Sequence, residues 1–134
     1  MTGMHRVSGF PPIAAVDARA LILGSLPSVA SVQAHQYYGH PRNAFWPIMG
    51  ALFGFDAELD YEARCHQLRS QQVAVWDVAS QAERPGSLDA DIRRESVQSN
   101  PLAELLVRWP GICNGFFNGR AAAATGAPNG RVLT

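Results

Sequence analysis

ALILGSLPS, residues 20–28, is the stretch that decides the fold. Four apolar residues run into Gly24, and Pro27 with its flanking serines then breaks the run. A short apolar segment closed by such punctuation reads as a buried strand delivering the chain into a loop. The same pattern recurs downstream. Residues 73–78 (VAVWDV) read as a second buried strand, residues 112–117 as a third, stopped by Asn118-Gly119, and residues 131–134 as a fourth. Helical patterns separate them. Residues 29–36 suit a short helix. From Asn43 onward Phe45, Ile48, Met49, Leu52 and Phe53 recur at three- and four-residue spacing, one apolar helix face. Asn43 is placed to cap that helix and Gly54 to end it. Further helices are expected over 61–70, over 101–107 with Pro101 at its first position, and beginning in 120–125. Residues 79–91, centred on ERPGS, read as loop.

Strands alternating with helices imply an α/β domain with a parallel sheet covered on both faces. Ligands of such folds sit at the carboxyl ends of the strands. Loops 24–28, 79–87 and 118–120 are therefore expected to converge on one crevice, overhung by residues 37–43.

At 134 residues and 47% hydrophobic, the chain suits a single domain spanning 1–134 and is long enough to bury a real core. It contains no apolar run of membrane-spanning length. Its first residues, MTGMHRVSGFPP, lack the apolar segment of a signal peptide, so a cytoplasmic protein is expected. Cys65 and Cys113 are too few for a disulfide scaffold and are read as core residues. The four histidines show no zinc spacing. Eleven basic residues, all arginine, balance eleven acidic ones. The balance is local, however: Arg6, Arg19 and Arg42 face only Asp17 before residue 56, and four acids fall within 56–62. A neutral chain can thus still present a positive face to phosphate.

The densest chemistry lies in YYGHPRNAFW, residues 37–46. Two tyrosines, a histidine, an arginine and an asparagine suit recognition of a nucleotide: rings stack on a base, amides read its edge and arginine holds phosphate. The same residues also suit an ordinary strand-to-helix connection whose asparagine caps the helix.

GSLPS at 24–28, QYYGHPRNAFWPIMGALFG at 36–54, WDVASQAERPGSLDA at 76–90 and FFNG at 116–119 together resemble the deoxyinosine (hypoxanthine) DNA glycosylase branch of the uracil-DNA glycosylase superfamily. The resemblance runs from about residue 8 to about residue 122. It implies a three-layer α/β/α fold with a four-stranded parallel sheet. It also implies hydrolysis of the N-glycosidic bond of a deaminated base in DNA (hypoxanthine, with uracil as a further substrate) during base excision repair. No metal or organic cofactor is implied, and the partner is DNA carrying deaminated bases; a monomer that does not engage membranes is expected.

The resemblance assigns Asn43 the catalytic role of positioning the attacking water, with helix capping as its alternative. An asparagine orients water without deprotonating it, which suffices when the transition state is strongly dissociative. GSLPS corresponds to the superfamily's water-binding loop but offers only serines where several relatives have a carboxylate or amide, which moves the water-positioning duty to Asn43. Gly24, Ser25, Tyr37, Tyr38, His40 and Asn118 become candidates for the base site. Each also has a bland reading: core aromatics for the tyrosines, a locked turn for His40, an Asn-Gly turn for Asn118. Arg42, Ser28, Arg84 and Ser87 are candidates for DNA phosphate. Asp77 is read mainly as a buried structural acid. A serine hydrolase is a weak competitor, because neither Ser25 nor Ser28 sits in a G-x-S-x-G elbow.

Relatives continue past the fourth strand into a loop resembling L-P-S-T-S-P-A that presses on DNA, and then a final helix. This sequence stops at Val132-Leu133-Thr134, so a domain with its last strand and helix incomplete is expected. This chain is accordingly expected to show weak or no glycosylase activity, and the competing reading is a catalytically impaired fragment that keeps a nucleic-acid-binding crevice.

Overall fold

The computed structural model describes residues 6–119 and residue 122. In chain order the elements are β1 (Arg6–Ser8), β2 (Ala20–Gly24), α1 (Val29–Ala34), α2 (Phe45–Phe53), α3 (Tyr61–Ser70) and β3 (Val73–Asp77). They continue with β4 (Ala79–Glu83), a 3-10 turn over Asp89–Asp91, β5 (Arg93–Ser99), α4 (Leu102–Arg108) and β6 (Asn114–Phe117).

The apolar runs become a parallel sheet in the order β3-β2-β6. Register sets Gly24 beside Asp77 and Leu23 beside Phe117, so three strand ends finish level with one another. All five residues of β3 are buried, as expected of a central-layer strand without polar alternation. Leu21, Leu23, Leu68, Val75 and Cys65 fill the core under it. The helices follow their sequence signals. Asp60 caps α3 by accepting from the Ala63 amide at 2.8 Å. Gly54 closes α2 in the left-handed region, φ 76°, which glycine enters without a Cβ penalty. Helix α4 begins one residue late, with Pro101 just outside it.

The segment expected to be loop is the main departure. Residues 79–83 form β4, and β1-β4-β5 make a second, antiparallel sheet. Strand β5 reads RRESVQS and leaves most of its residues exposed. Its strand state comes from backbone pairing with β4, interrupted by register shifts, and not from apolar alternation. The α/β class holds, while the described residues contain three parallel strands and two three-stranded sheets in place of a four-stranded parallel sheet. The expected helix start at 120–125, the strand at 131–134 and the incomplete C-terminal layer lie outside the described residues. Cys65 is buried as expected, but Cys113 is exposed.

The second sheet matters because it carries the return of the chain toward the parallel strand ends. Val78 links β3 directly to β4, and its amide donates to the Gly24 carbonyl at 2.8 Å. Asn100, leaving β5, donates its Nδ2 to the Asp77 carbonyl at 2.7 Å. The start of β4 and the exit from β5 are thereby tied to the ends of β2 and β3, and the connection between β4 and β5 is held to the loop after β2 by Ser25 on Asp89 and by Arg84 on the Pro27 carbonyl.

Candidate active site

At those strand ends lies a cavity of about 320 Å³, within the range of small-ligand sites. Gly24 to Ser28, Tyr37, Tyr38, Asn43, Asp77, Ser87 to Asp89 and Asn118 line it. The segments expected to converge therefore meet in part: 24–28, Ser87 and Asn118 lie together with Tyr37, Tyr38 and Asn43, while residues 79–83 are strand and residue 120 lies outside the described residues.

The floor is built by close approach. A Cβ on Gly24 would stand 2.5 Å from Asp77 Oδ1 and 2.8 Å from the Tyr38 hydroxyl, so only glycine lets these polar atoms meet over the strand end. Asp77 is 4% exposed, and its Oδ2 is buried without a hydrogen-bond partner among the described residues. Burial first, and the nearby Asp89 second, push its carboxyl up to about 7, while Arg84 pulls the other way. The Tyr38 hydroxyl is likewise buried and unpaired, in a residue held at φ 54°. Burial raises its pKa, with the neighbouring Asn118 side chain opposing the rise. Phe45 covers one face of the Tyr38 ring, centroids 4.0 Å apart.

Tyr37 is a structural hub. It donates its hydroxyl to the Phe10 and Pro11 carbonyls, and its own carbonyl accepts from Trp46 Nε1 at 2.8 Å. It backs the cavity without a free polar atom. Ser25 donates to Asp89 Oδ1 at 2.9 Å and ties the first loop to the 3-10 turn.

The rim is more open. Asn43 does not occupy the N-cap position of α2, which falls to Ala44. Its Oδ1 instead accepts from the Phe45 amide at 2.8 Å, a tight turn just ahead of the helix. That bond fixes the side chain and leaves one Oδ1 lone pair and the Nδ2 protons for another partner. Asn118 is anchored through its backbone amide, which donates to the Leu23 carbonyl at 2.7 Å, and its side chain is exposed toward the cavity. Asn43 and Asn118 also border a second, apolar groove lined by Ile22, Ile48, Met49, Leu52, Phe116 and Phe117.

Three sequence assignments need correction. Arg84 has no surface for a DNA phosphate: its side chain is 0% exposed, and it donates to the Gly86 and Pro27 carbonyls at 2.7 and 2.5 Å. It braces the loops from behind. His40 does not enter the cavity. It lies in a neighbouring hollow with Gln36, Trp46 and Arg64, and its Nδ1 accepts from the Arg42 amide at 3.0 Å. Ser28 caps α1, accepting from the Ser31 amide at 3.1 Å, so its hydroxyl is committed within the loop. Ser87 accepts from the Val29 amide at 2.9 Å and keeps its proton free to donate outward. Arg42 is exposed beside the rim.

Asp77, read from the sequence mainly as a buried structural acid, is buried and lines the cavity, and Asp89, which the sequence did not single out, lines it too. An acid ending an otherwise apolar strand, in register with a strand-end glycine, was the available signal for Asp77. Asp89 gave none, because its position depends on the antiparallel sheet.

Comparison with known proteins adds independent information. No family model matches the chain. A hypoxanthine DNA glycosylase of Methanosarcina barkeri is 37% identical over 113 residues, covering 84% of this chain and 70% of the relative. A hypoxanthine DNA glycosylase of Methanosarcina acetivorans is 37% identical over 116 residues, covering 85% and 72%. A solution NMR structure from Methanosarcina acetivorans, carrying the provisional assignment of uracil DNA glycosylase, superposes with a TM-score of 0.78 at 35% identity. That match covers 88% of this chain and 73% of the other.

Proposed function

The chain belongs to the hypoxanthine DNA glycosylase family, and from that premise we propose that it hydrolyses the N-glycosidic bond of deaminated bases in DNA, hypoxanthine first and uracil also, opening base excision repair. The observation that carries this reading is the polar cavity at the parallel strand ends, with two amides on its rim and unpaired polar atoms on its floor.

A base inside a duplex is out of reach, so the enzyme rotates the nucleotide out at a cost of about a few kcal/mol, least for a poorly paired base. The cavity receives the base. Tyr37 walls the cavity, Tyr38 reaches it through its hydroxyl, and Asn118 presents an amide to the base edge. Asn43, held by the Phe45 amide, orients a water beneath C1′. The bond to the base breaks first in character: positive charge grows on the sugar, negative charge on the departing base, and the oriented water closes on C1′. Asn43 contributes by placing a dipole where charge develops, not by taking a proton in advance. Arg42 and the Ser87 hydroxyl contact backbone phosphate. The proposed fold is the three-layer arrangement with a four-stranded parallel sheet.

The test is direct. The full chain is incubated with oligonucleotides containing one deoxyinosine, deoxyuridine, deoxyxanthosine or normal base, and free base and alkali-labile sites are quantified. Release of hypoxanthine well above any normal base is expected. Binding without release from any lesion would replace the enzyme reading with that of a nucleic-acid-binding module.

A further inference from the structure

We propose that Asp77 and Tyr38 form a lactam reader: the Asp77 carboxylate accepts the ring N–H that deamination creates, and the Tyr38 hydroxyl donates to the new carbonyl beside it. The proposal rests on the reading of this cavity as the base site and adds to it the group that decides which base is admitted.

Deamination of adenine inverts two neighbouring positions. The 6-amino donor becomes a carbonyl acceptor, and N1 changes from a lone-pair acceptor to an N–H donor. Cytosine changes in the same sense on becoming uracil. A receptor that separates the damaged base from its parent therefore needs an acceptor beside a donor. A carboxylate only accepts, and a phenol can donate. Asp77 Oδ1 and the Tyr38 hydroxyl lie over the same glycine, 2.5 and 2.8 Å from where its Cβ would stand. Both side chains carry a buried oxygen with no protein partner among the described residues, Oδ2 in one and the hydroxyl in the other. Buried polar atoms are nearly always paired, and two residues lining this cavity each keep one unpaired, Asp77 at Oδ2 on the Gly9 side of its carboxylate and Tyr38 at the hydroxyl over Gly24, as fits groups that await a ligand.

No neighbour hydrogen-bonds the Asp77 carboxylate among the described residues. Arg84, from the end of β4, gives Nε to the Gly86 carbonyl and Nη2 to the Pro27 carbonyl, while its Nη1 is buried without a hydrogen-bond partner, 3.9 Å from Asp89 Oδ1. Asp89, from the 3-10 turn, accepts from Ser25. Tyr37, on the overhanging turn, gives its hydroxyl to Phe10 and Pro11. These groups and Tyr38 are the charged and titratable neighbours that face Asp77. Burial and Asp89 place its carboxyl near 7, so it ionises close to neutrality. Once protonated, it can donate to adenine N1, and the distinction between the two bases weakens.

The experiment measures binding, so it does not depend on turnover. Duplexes carrying 2′-fluorodeoxyinosine or 2′-fluorodeoxyadenosine, whose glycosidic bonds resist cleavage, are titrated with the full chain by fluorescence anisotropy on either side of pH 7. The wild-type chain is expected to favour the inosine duplex by about tenfold to a hundredfold above pH 7, with the preference shrinking below it. Asp77→Asn presents either an N–H or an oxygen and is expected to abolish most of the preference and all of its pH dependence. Tyr38→Phe should weaken inosine binding and leave adenine binding unchanged. A wild-type preference that ignores both pH and Asp77→Asn would overturn the proposal, and should either variant fail to fold, the wild-type pH profile decides alone. Cleavage of the unfluorinated duplex is scored separately. Release of hypoxanthine with an Asp77-independent preference sinks the lactam reader only, whereas an Asp77-dependent preference without release sinks the glycosylase reading only.

Discussion

Asp77 and Asn43 line the same cavity, yet Asp77 is 4% exposed at the end of a fully buried strand and Asn43 stands exposed in the turn ahead of α2. The floor is set by tertiary packing: Gly24 and Asp77 by strand register, Arg84 by loop carbonyls and the Tyr38 ring by stacking on Phe45. The rim is held by single local bonds, such as that from the Phe45 amide to Asn43. The difference teaches a division of labour. Floor groups can set which base fits, but they are entangled with stability. Rim groups can act on sugar, water and phosphate with little effect on the fold.

The sharpest test of the floor is Arg84→Met. Losing the buried guanidinium leaves the Pro27 and Gly86 carbonyls unpaired, and stability is expected to fall by about 2–4 kcal/mol in chemical denaturation. The salt dependence of DNA binding by the remaining folded protein should not change, because this arginine touches no phosphate. A shallower salt slope with unchanged stability would move Arg84 from floor to rim.

Asp77→Asn has a smaller effect on stability, of opposite sign. The folded pKa, about 7, stands above the ordinary value of 3.8, so the native state holds the proton more tightly than the unfolded chain. Stability is therefore withheld progressively as pH rises between those values, and withheld fully above about 7. The uncharged isostere should be more stable than wild type at pH 8, by about 1–3 kcal/mol, and no more stable near pH 4. Melting temperatures across this range would show it. A variant less stable at high pH would mean that the carboxylate has an ion partner on the floor.

Arg42→Ala on the rim should have the smallest effect. Its stability should stay within about 0.5 kcal/mol of wild type. DNA affinity should fall evenly across sequences, with the slope against salt reduced by about one. A loss confined to lesion-containing DNA would place Arg42 among the base contacts.

The same division explains what could be read from the sequence. The parallel strands and the limits of α2 and α3 were legible because burial on both faces and helical periodicity write themselves into ALIL, VAVW and the Phe45 to Phe53 pattern. Strand β5 was not, since RRESVQS is paired through its backbone while its side chains face water. The rim residue Asn43 was found through the HPRN motif. Arg84 was misjudged because burial of a charged residue depends on distant segments, here Pro27 and Gly86; Asp77 is the buried acid that was expected, but its approach to Gly24 and Tyr38 is equally non-local. Local sequence carries no record of those approaches.

The most direct measurement is single-turnover release of hypoxanthine from a deoxyinosine duplex by wild type and Asn43→Ala, beside the affinity of each for the 2′-fluorodeoxyinosine duplex. Loss of the Oδ1 bond ahead of α2 should lower stability by only about 1 kcal/mol, so the variant remains folded. Release is expected to slow by about a hundredfold to a thousandfold with affinity unchanged. Release at the wild-type rate, or a loss no greater than the loss of binding, would contradict the assignment of the water-positioning role to Asn43.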